Sequence, residues 1–217
     1  MSGIADDRLL GHGIYDLDEI ARLVRRSSAE VSTWTTGGQA LLSPRKGRLF
    51  GFYDLVTAVV TAELRRRQVP LVRVQDARKW LADDVLPDVQ WPLAHAVGLK
   101  ALASVGRNVY FHHPQEGWLD ASSGGQRPFV AVVSPLIRHL TFDELGMASE
   151  WRPVRGIVVD PDVQAGAPCL DGTRIPTTLI AELVEAGEDP EDIAQDYALD
   201  IRLVKTAMGY ETQLTAA

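Results

Sequence analysis

"APCLDGTRIPTTLIAELVEAG", Ala167 to Gly187, is the stretch on which the fold of this chain turns. As far as Pro176, single apolar residues alternate with turn formers. From there the pattern changes: Leu179, Ile180, Leu183 and Val184 recur at the helical period, with Ile175 just ahead of them. Gly172 supplies a turn that tolerates a left-handed backbone, Pro176 presets the helix start, and Gly187 follows its end. The spacing predicts a small two-stranded ribbon and then an amphipathic helix, near Thr177 to Ala186. Thr173 and Arg174 are expected to tie the ribbon to nearby carboxylates. The stretch holds no evident nucleophile or general base.

The flanks extend this pattern. Upstream, "GIVVD" reads as a short strand. Downstream, Asp189 caps a second helix with Pro190 at its first position, ending near Tyr197. A third helix follows Asp200, with Leu203, Val204, Ala207 and Met208 facing inward.

The front of the chain has its own helical signals. In "YDLDEIARLVRR", Asp16 can cap and Glu19 stands three residues on; Leu17, Ile20, Ala21, Leu23 and Val24 make one apolar face. Ser27 or Ser28 caps a short helix running to about Trp34, which Gly37-Gly38 ends. Two helices joined this closely are a helix-turn-helix in outline. "QALLSPRKGRLFGF", 39–52, reads as a short hairpin with a basic tip at Arg45, Lys46 and Arg48. Leu55, Val56, Val59, Val60 and Leu64 then stripe a helix that ends in Arg65, Arg66 and Arg67, and "LVRVQDARKWLADDV" is a fourth helix.

From Leu86 to Pro153 the signals weaken. "PLAHAVGLKALASVG" reads as helical. "RNVYFHH" and "GWLDAS" read as two strands around "PQEG", "SSGGQ" as a loop, and "TFDELG" as one helical turn. "FVAVV" is strand or buried helix. The chain is thus expected to be mainly α with short β elements (α+β). Its divisions are 1–85 as a winged helix-turn-helix, 86–153 as a connecting region, and 154–217 as a three-helix, helix-turn-helix-like interaction domain.

The chain has 217 residues, 46% of them hydrophobic, enough for a real core. No apolar run reaches the roughly 18 residues of a membrane span, and no secretory signal is read at the N-terminus. The single cysteine, Cys169, excludes a disulfide within the chain, and a cytoplasmic home is the default. The net charge of −7 conceals a split: residues 22–80 carry 12 Lys/Arg against 4 Asp/Glu, and residues 154–217 carry 4 against 12. A basic part suits a polyanion; an acidic tail suits something else.

Catalysis finds little support. His112, His113, His139 and Cys169 are weighed as soft-ligand candidates, and adjacent histidines on a strand point to opposite faces. No metal site, cofactor, phosphate loop or nucleophile motif is expected, and the chain is read as no enzyme. A recognition helix should instead offer small polar side chains to DNA: Ser27, Ser28, Ser32, Thr33 and Thr35, with Arg45, Lys46 and Arg48 on the backbone. Arg65 to Arg67 either extend that contact or form a solvated helix end. Trp34 is expected in the core rather than against a base.

On these residues the chain resembles two families. "YDLDEIARLVRRSSAEVSTWTTGG", the basic hairpin and "FYDLVTAVVTAELRRRQVPLVRVQDARKWL" are similar to the winged helix-turn-helix of MerR-type regulators, though Val31, Ser32, Thr33 and Trp34 replace the usual Arg-aromatic anchor. The tail resembles a small domain of unknown function found in VapB-type antitoxins. The likeness rests on Asp160-Pro161, Gly166 with Pro168, Gly172 to Pro176, Ala186-Gly187 and Ile193 to Tyr197. That resemblance implies an antitoxin that neutralises a PIN-type ribonuclease toxin (VapC-like) and represses its own operon by binding operator DNA. The surplus of acids in the tail argues that it meets protein, since phosphates would face carboxylates there. The cations available for insertion into the toxin are Arg174, Arg202 and Lys205; the other route is an acidic surface docking on a basic rim. A homodimer is expected from the two-fold symmetry usual in operators. The alternatives are a MerR-like ligand-sensing regulator without a toxin, and a protein-binding adaptor.

Overall fold

The computed structural model describes residues 13–45, 48–105, 111–113, 117–119 and 133–215. Lys46, the turn over 114–116, the loop over 122–126 and residues 129–132 lie outside them. The fold class is α+β: helices dominate, and the strands are short. Two compact units form, and each draws on separated parts of the chain. The first takes the residues up to Ser32, Pro44–Phe52 and everything from Ser149; the second takes Thr33–Ser43 and Tyr53–Ala148.

In the first unit, α1 (Leu17–Val24) starts where Asp16 accepts the Glu19 N–H at 2.7 Å. It stops because Arg25 turns left-handed at φ 55° and returns its N–H to the helix. Ile20, Ala21, Leu23 and Val24 are buried. Helix α2 (Ser28–Thr33) follows at once, with Ser27 Oγ accepting the Glu30 N–H at 3.2 Å. The helix–short turn–helix outline is therefore present as local geometry.

Of the expected hairpin over 39–52, the closing end is described, while Lys46 and Gly47 at its tip lie outside the described residues. Arg45 N–H donates to the Leu49 carbonyl at 2.8 Å and Arg48 N–H to the Arg45 carbonyl at 3.0 Å, closing a tight loop with Arg48 at φ 64°. Among the described residues no ladder grows from it. Phe50 instead spends its backbone N–H and C=O on Tyr15, at 2.8 and 3.1 Å. The Tyr15 hydroxyl reaches on to the Gly166 carbonyl at 2.9 Å. A Cβ on Gly166 would stand 2.0 Å from that hydroxyl, so only glycine fits.

The tail of this unit folds as its sequence suggests. Strands β4 (Ala148–Val154), β5 (Ile157–Val159) and β6 (Cys169–Leu170) pair antiparallel, with Trp151 opposite Val159, Ile157 opposite Leu170 and Val158 opposite Cys169. Cys169 also bridges Pro176, and Leu170 N–H donates to the Ile175 carbonyl at 2.9 Å, which completes the ribbon. Helices α7 (Thr177–Glu185), α8 (Pro190–Asp196) and α9 (Ile201–Thr215) follow. Asp189 caps α8 by accepting the Glu191 N–H at 2.9 Å. Helix α9 is the hub: it packs on α7, α8 and α1. Ile180, Val204 and Ala207 are buried as expected, together with Ile193, Tyr210 and Leu214. Ile175, Leu179, Leu183, Val184, Leu203 and Met208 are only half-buried.

In the second unit, α3 (Phe52–Arg66) buries its stripe of Leu55, Val56, Val59, Val60 and Leu64. Helix α4 (Leu71–Trp80) runs into a π turn at Leu81–Val85; a 3-10 turn at Pro92–Ala94 precedes α5 (Ala96–Val105). Strands β1 (Phe111–His113) and β2 (Gly117–Leu119) pair antiparallel, and a short helix, α6, covers 133–137. Trp34 is fully buried, its carbonyl accepting the N–H groups of Leu41 and Leu42. Asp54 is buried too, and accepts from Ser43 N–H at 3.2 Å and Trp91 Nε1 at 3.1 Å, so an acid holds this loop to the core.

"TFDELG" is not a helical turn. Leu140–Phe142 forms strand β3, and Asp143 Oδ1 then accepts the N–H groups of Leu145 and Met147 in a tight turn. The aspartate side chain satisfies donors that a helix would have satisfied with carbonyls.

Candidate functional site

The residues singled out by sequence fall into two sets. The first set follows the chain through α2 and the loop after it, and is taken residue by residue. Ser27 and Thr33 are exposed; Ser28, Ser32 and Thr35 are half-buried. Their hydroxyls have local work. Ser27 caps α2, and Ser28 Oγ donates to Asp18 on α1, a bond that clips the two helices together. Arg26, just ahead of α2, and Glu30 stand 3.6 Å from each other, so the lone acid of α2 faces a cation of its own chain. Arg45 is half-buried and Arg48 exposed, both on the tight loop. Ser27, Ser28, Ser32, Arg45 and Arg48 belong to the first unit, Thr33 and Thr35 to the second. Lys46 lies outside the described residues.

The second set lies in the tail. Gly172 sits at φ +76° with open space where a Cβ would be, so its role is the backbone turn alone. The expectation for its neighbours changes. Thr173 ties backbone rather than carboxylate: its hydroxyl donates to the Leu170 carbonyl at 2.9 Å and accepts the Ile175 N–H at 3.0 Å. Asp171 pairs with Arg152 at 2.7 Å, from strand β4. Arg174 is exposed, and its carbonyl accepts from the Gln164 amide at 2.9 Å.

Of the other two cations, Arg202 forks onto Asp200 at 2.6 Å and Lys205 reaches Glu191 at 3.0 Å. The Arg202 side chain and its N–H hold the Asp200 carboxyl down at about 2. The N–H groups at the start of α8 keep Asp189 below the usual range. Glu182, Glu185, Glu188, Glu191, Asp192 and Asp196 are all exposed, so the acidity of the tail lies on its outside. Burial pushes the Cys169 thiol up, and its Sγ donates to the Ala167 carbonyl; it is a packed thiol. Among the described residues, no three His, Cys, Asp or Glu side chains converge to hold a metal.

One cluster escaped the sequence reading. Glu211 on α9 is 7% exposed. One of its carboxylate oxygens pairs with Arg22 of α1 at 2.8 Å, and the other accepts from Thr177 Oγ1 at the start of α7. Three separated segments meet on this carboxylate. A signal was present: Val204, Ala207, Glu211 and Leu214 follow the helical period, which sets one acid in the middle of a buried face.

The fold and these surfaces define an α+β protein whose first unit holds two closely joined short helices at the front and a three-helix tail with an acidic exterior. Within that tail, residues 157–210 match the family model described as "Protein of unknown function (DUF433)". Two chains of Mycobacterium tuberculosis are similar over nearly the whole length. One, named "Uncharacterized protein Rv2308", is 24% identical over 93% of this chain and 91% of its own. The other, named "Putative antitoxin VapB45", is 25% identical over 86% of this chain and 88% of its own. The crystal structure of Rv2018 from the same organism superposes with a TM-score of 0.68 at 20% identity, covering 89% of this chain and 96% of that one, which shows a shared fold. No helix among the described residues is long and apolar enough to cross a membrane.

Proposed function

We propose that this chain is an antitoxin. Its acidic tail binds and neutralises a PIN-type ribonuclease toxin of the VapC kind, and its basic front binds operator DNA and represses the operon. The observation that carries this reading is the similarity to the chain named "Putative antitoxin VapB45", which extends across both front and tail. The front supports DNA binding through its closely joined α1 and α2 and the cations of the loop after them. In this reading it serves as a MerR-like winged helix-turn-helix, with Ser27, Ser28, Ser32, Thr33 and Thr35 towards the duplex and Arg45, Lys46 and Arg48 on phosphates. The protein acts as a cytoplasmic homodimer and carries no catalytic centre.

The pairing of Arg202 and Lys205 within the chain bears on how the toxin is blocked. Insertion of either cation into an acidic metal cluster must first break a pair with Asp200 or Glu191. An acidic exterior lying across a basic RNA-binding rim breaks none. Rim occlusion is the favoured route, with Arg174 the cation left for insertion.

The test is co-expression of the full chain with the product of the neighbouring reading frame, followed by purification and a ribonuclease assay. A stable complex in which nuclease activity is silenced is expected. A neighbour that neither co-purifies nor is inhibited removes the antitoxin reading. A duplex shift that steepens at low salt and persists without the toxin then favours a ligand-sensing regulator.

A further inference from the structure

Helices α7 and α9 do not close completely on each other; a groove of about 540 Å³ opens along them. Helix α7 lines it with Thr178, Ala181, Glu182 and Glu185. Helix α9 lines it with Met208, Glu211, Thr212 and Thr215. Each set repeats at i, i+3, i+4 and i+7, one continuous helical face. Two such faces side by side are the seat that a third helix occupies when side-chain ridges pack into grooves. The seven-residue span of each stripe is about 10 Å at 1.5 Å per residue, so the seat holds two turns of a guest.

The chemistry of the walls selects the guest. Ala181, Val184 and Met208 make an apolar strip, and the threonines keep the walls low enough for close approach. The exposed charged side chains on the lining are acids, Glu182 and Glu185, while Glu211 beneath them is already paired with Arg22. We infer that this groove docks an amphipathic helix of a protein partner, apolar along one edge and lysine- or arginine-bearing along its borders. A second copy of this chain is a poor occupant. A two-fold contact through the groove brings the Glu182 and Glu185 carboxylates of both copies into one interface. Nucleic acid meets the same repulsion. The inference rests on the antitoxin reading only in naming the toxin as the natural source of the helix; the groove and its selectivity stand on the geometry.

Two measurements on the full chain separate the ideas. The first uses a synthetic 18-residue probe with leucines at i, i+3, i+4 and i+7 and lysines on both flanks. Its controls are a scrambled peptide of identical composition and a version with glutamate for lysine. Fluorescence anisotropy should show the amphipathic probe binding at least about tenfold more tightly than either control. Ala181→Trp, which fills the floor, and E182K/E185K, which reverses two exposed charges, should each remove that preference while circular dichroism stays unchanged. Equal binding of the scrambled peptide, or full binding by both variants, overturns the groove. Should A181W alone unfold the chain, the exposed charge pair still decides.

The second measurement repeats the co-expression with the neighbouring reading frame. Loss of the complex in both groove variants supports the groove as the toxin's seat. A complex that survives both variants overturns that role and leaves the antitoxin reading standing. A groove that holds the probe while no neighbour co-purifies has the reverse meaning. A dimer that becomes a monomer in the variants identifies the groove as a self-contact and overturns the inference.

Discussion

Removing Arg22 should harm this protein more than removing its partner Glu211, and the reason lies in how unequally the two are buried. The Arg22 side chain keeps 33% of its exposure and that of Glu211 only 9%. With Arg22→Met, the carboxylate stays inside with Thr177 as its remaining hydrogen-bond donor. Breaking a fully buried pair from one side costs about 3–5 kcal/mol. Water reaches a third of the arginine, so roughly half of that, about 2 kcal/mol, is the expected loss. With Glu211→Gln, the orphan is the guanidinium, which water can rehydrate, and the amide oxygen can still accept from Thr177; about 1 kcal/mol is expected. The double variant R22M/E211Q strands no charge and should cost less than the two single changes added together, with a coupling of about 1 kcal/mol. Urea unfolding of the four proteins, with slopes compared to confirm a common transition, measures all of this. A loss for R22M under about 0.5 kcal/mol, or E211Q proving the costlier, would show that the pair is hydrated and that α1 does not depend on it.

Three further outcomes are expected. Gly166→Ala forces a methyl onto the Tyr15 hydroxyl at a backbone φ of +88°, and should cost more than Tyr15→Phe, which loses one buried hydrogen bond of about 1 kcal/mol; thermal melts rank the two. The Asp200 carboxyl, held at about 2 in the folded chain, contributes stability above the ordinary aspartate value near 3.8 and loses it as pH falls through 2. In R202Q its NMR titration should move back up toward the ordinary value, and no movement refutes the pairing. Under the proposed function, Arg48→Gln should weaken operator binding for every sequence alike and flatten the salt dependence by about 0.9 of a log–log unit, the signature of one phosphate contact. A change confined to one base position points to direct readout instead.

What the sequence by itself determined is the local part of this protein. Asp16 and Asp189 announce helix starts because a carboxylate satisfies N–H groups within its own turn. Gly172 announces a turn because its backbone needs the left-handed region, and the stripe on α3 announces a buried face because period and burial coincide. The tail helices were legible for the same reason. The loop after α2 is legible as far as its Arg45–Leu49 closure, but the pairing of Phe50 with Tyr15 is not, because nothing near Phe50 in the sequence announces it. "TFDELG" misled because Asp143 serves a tight turn as readily as a helix start. Only the tertiary structure decided that Arg22 meets Glu211, that Thr177 joins them, and that α7 and α9 leave an acidic groove along their outer faces. Helical period fixes which residues share a side of one helix; which helix stands opposite depends on long-range packing that no local spacing encodes.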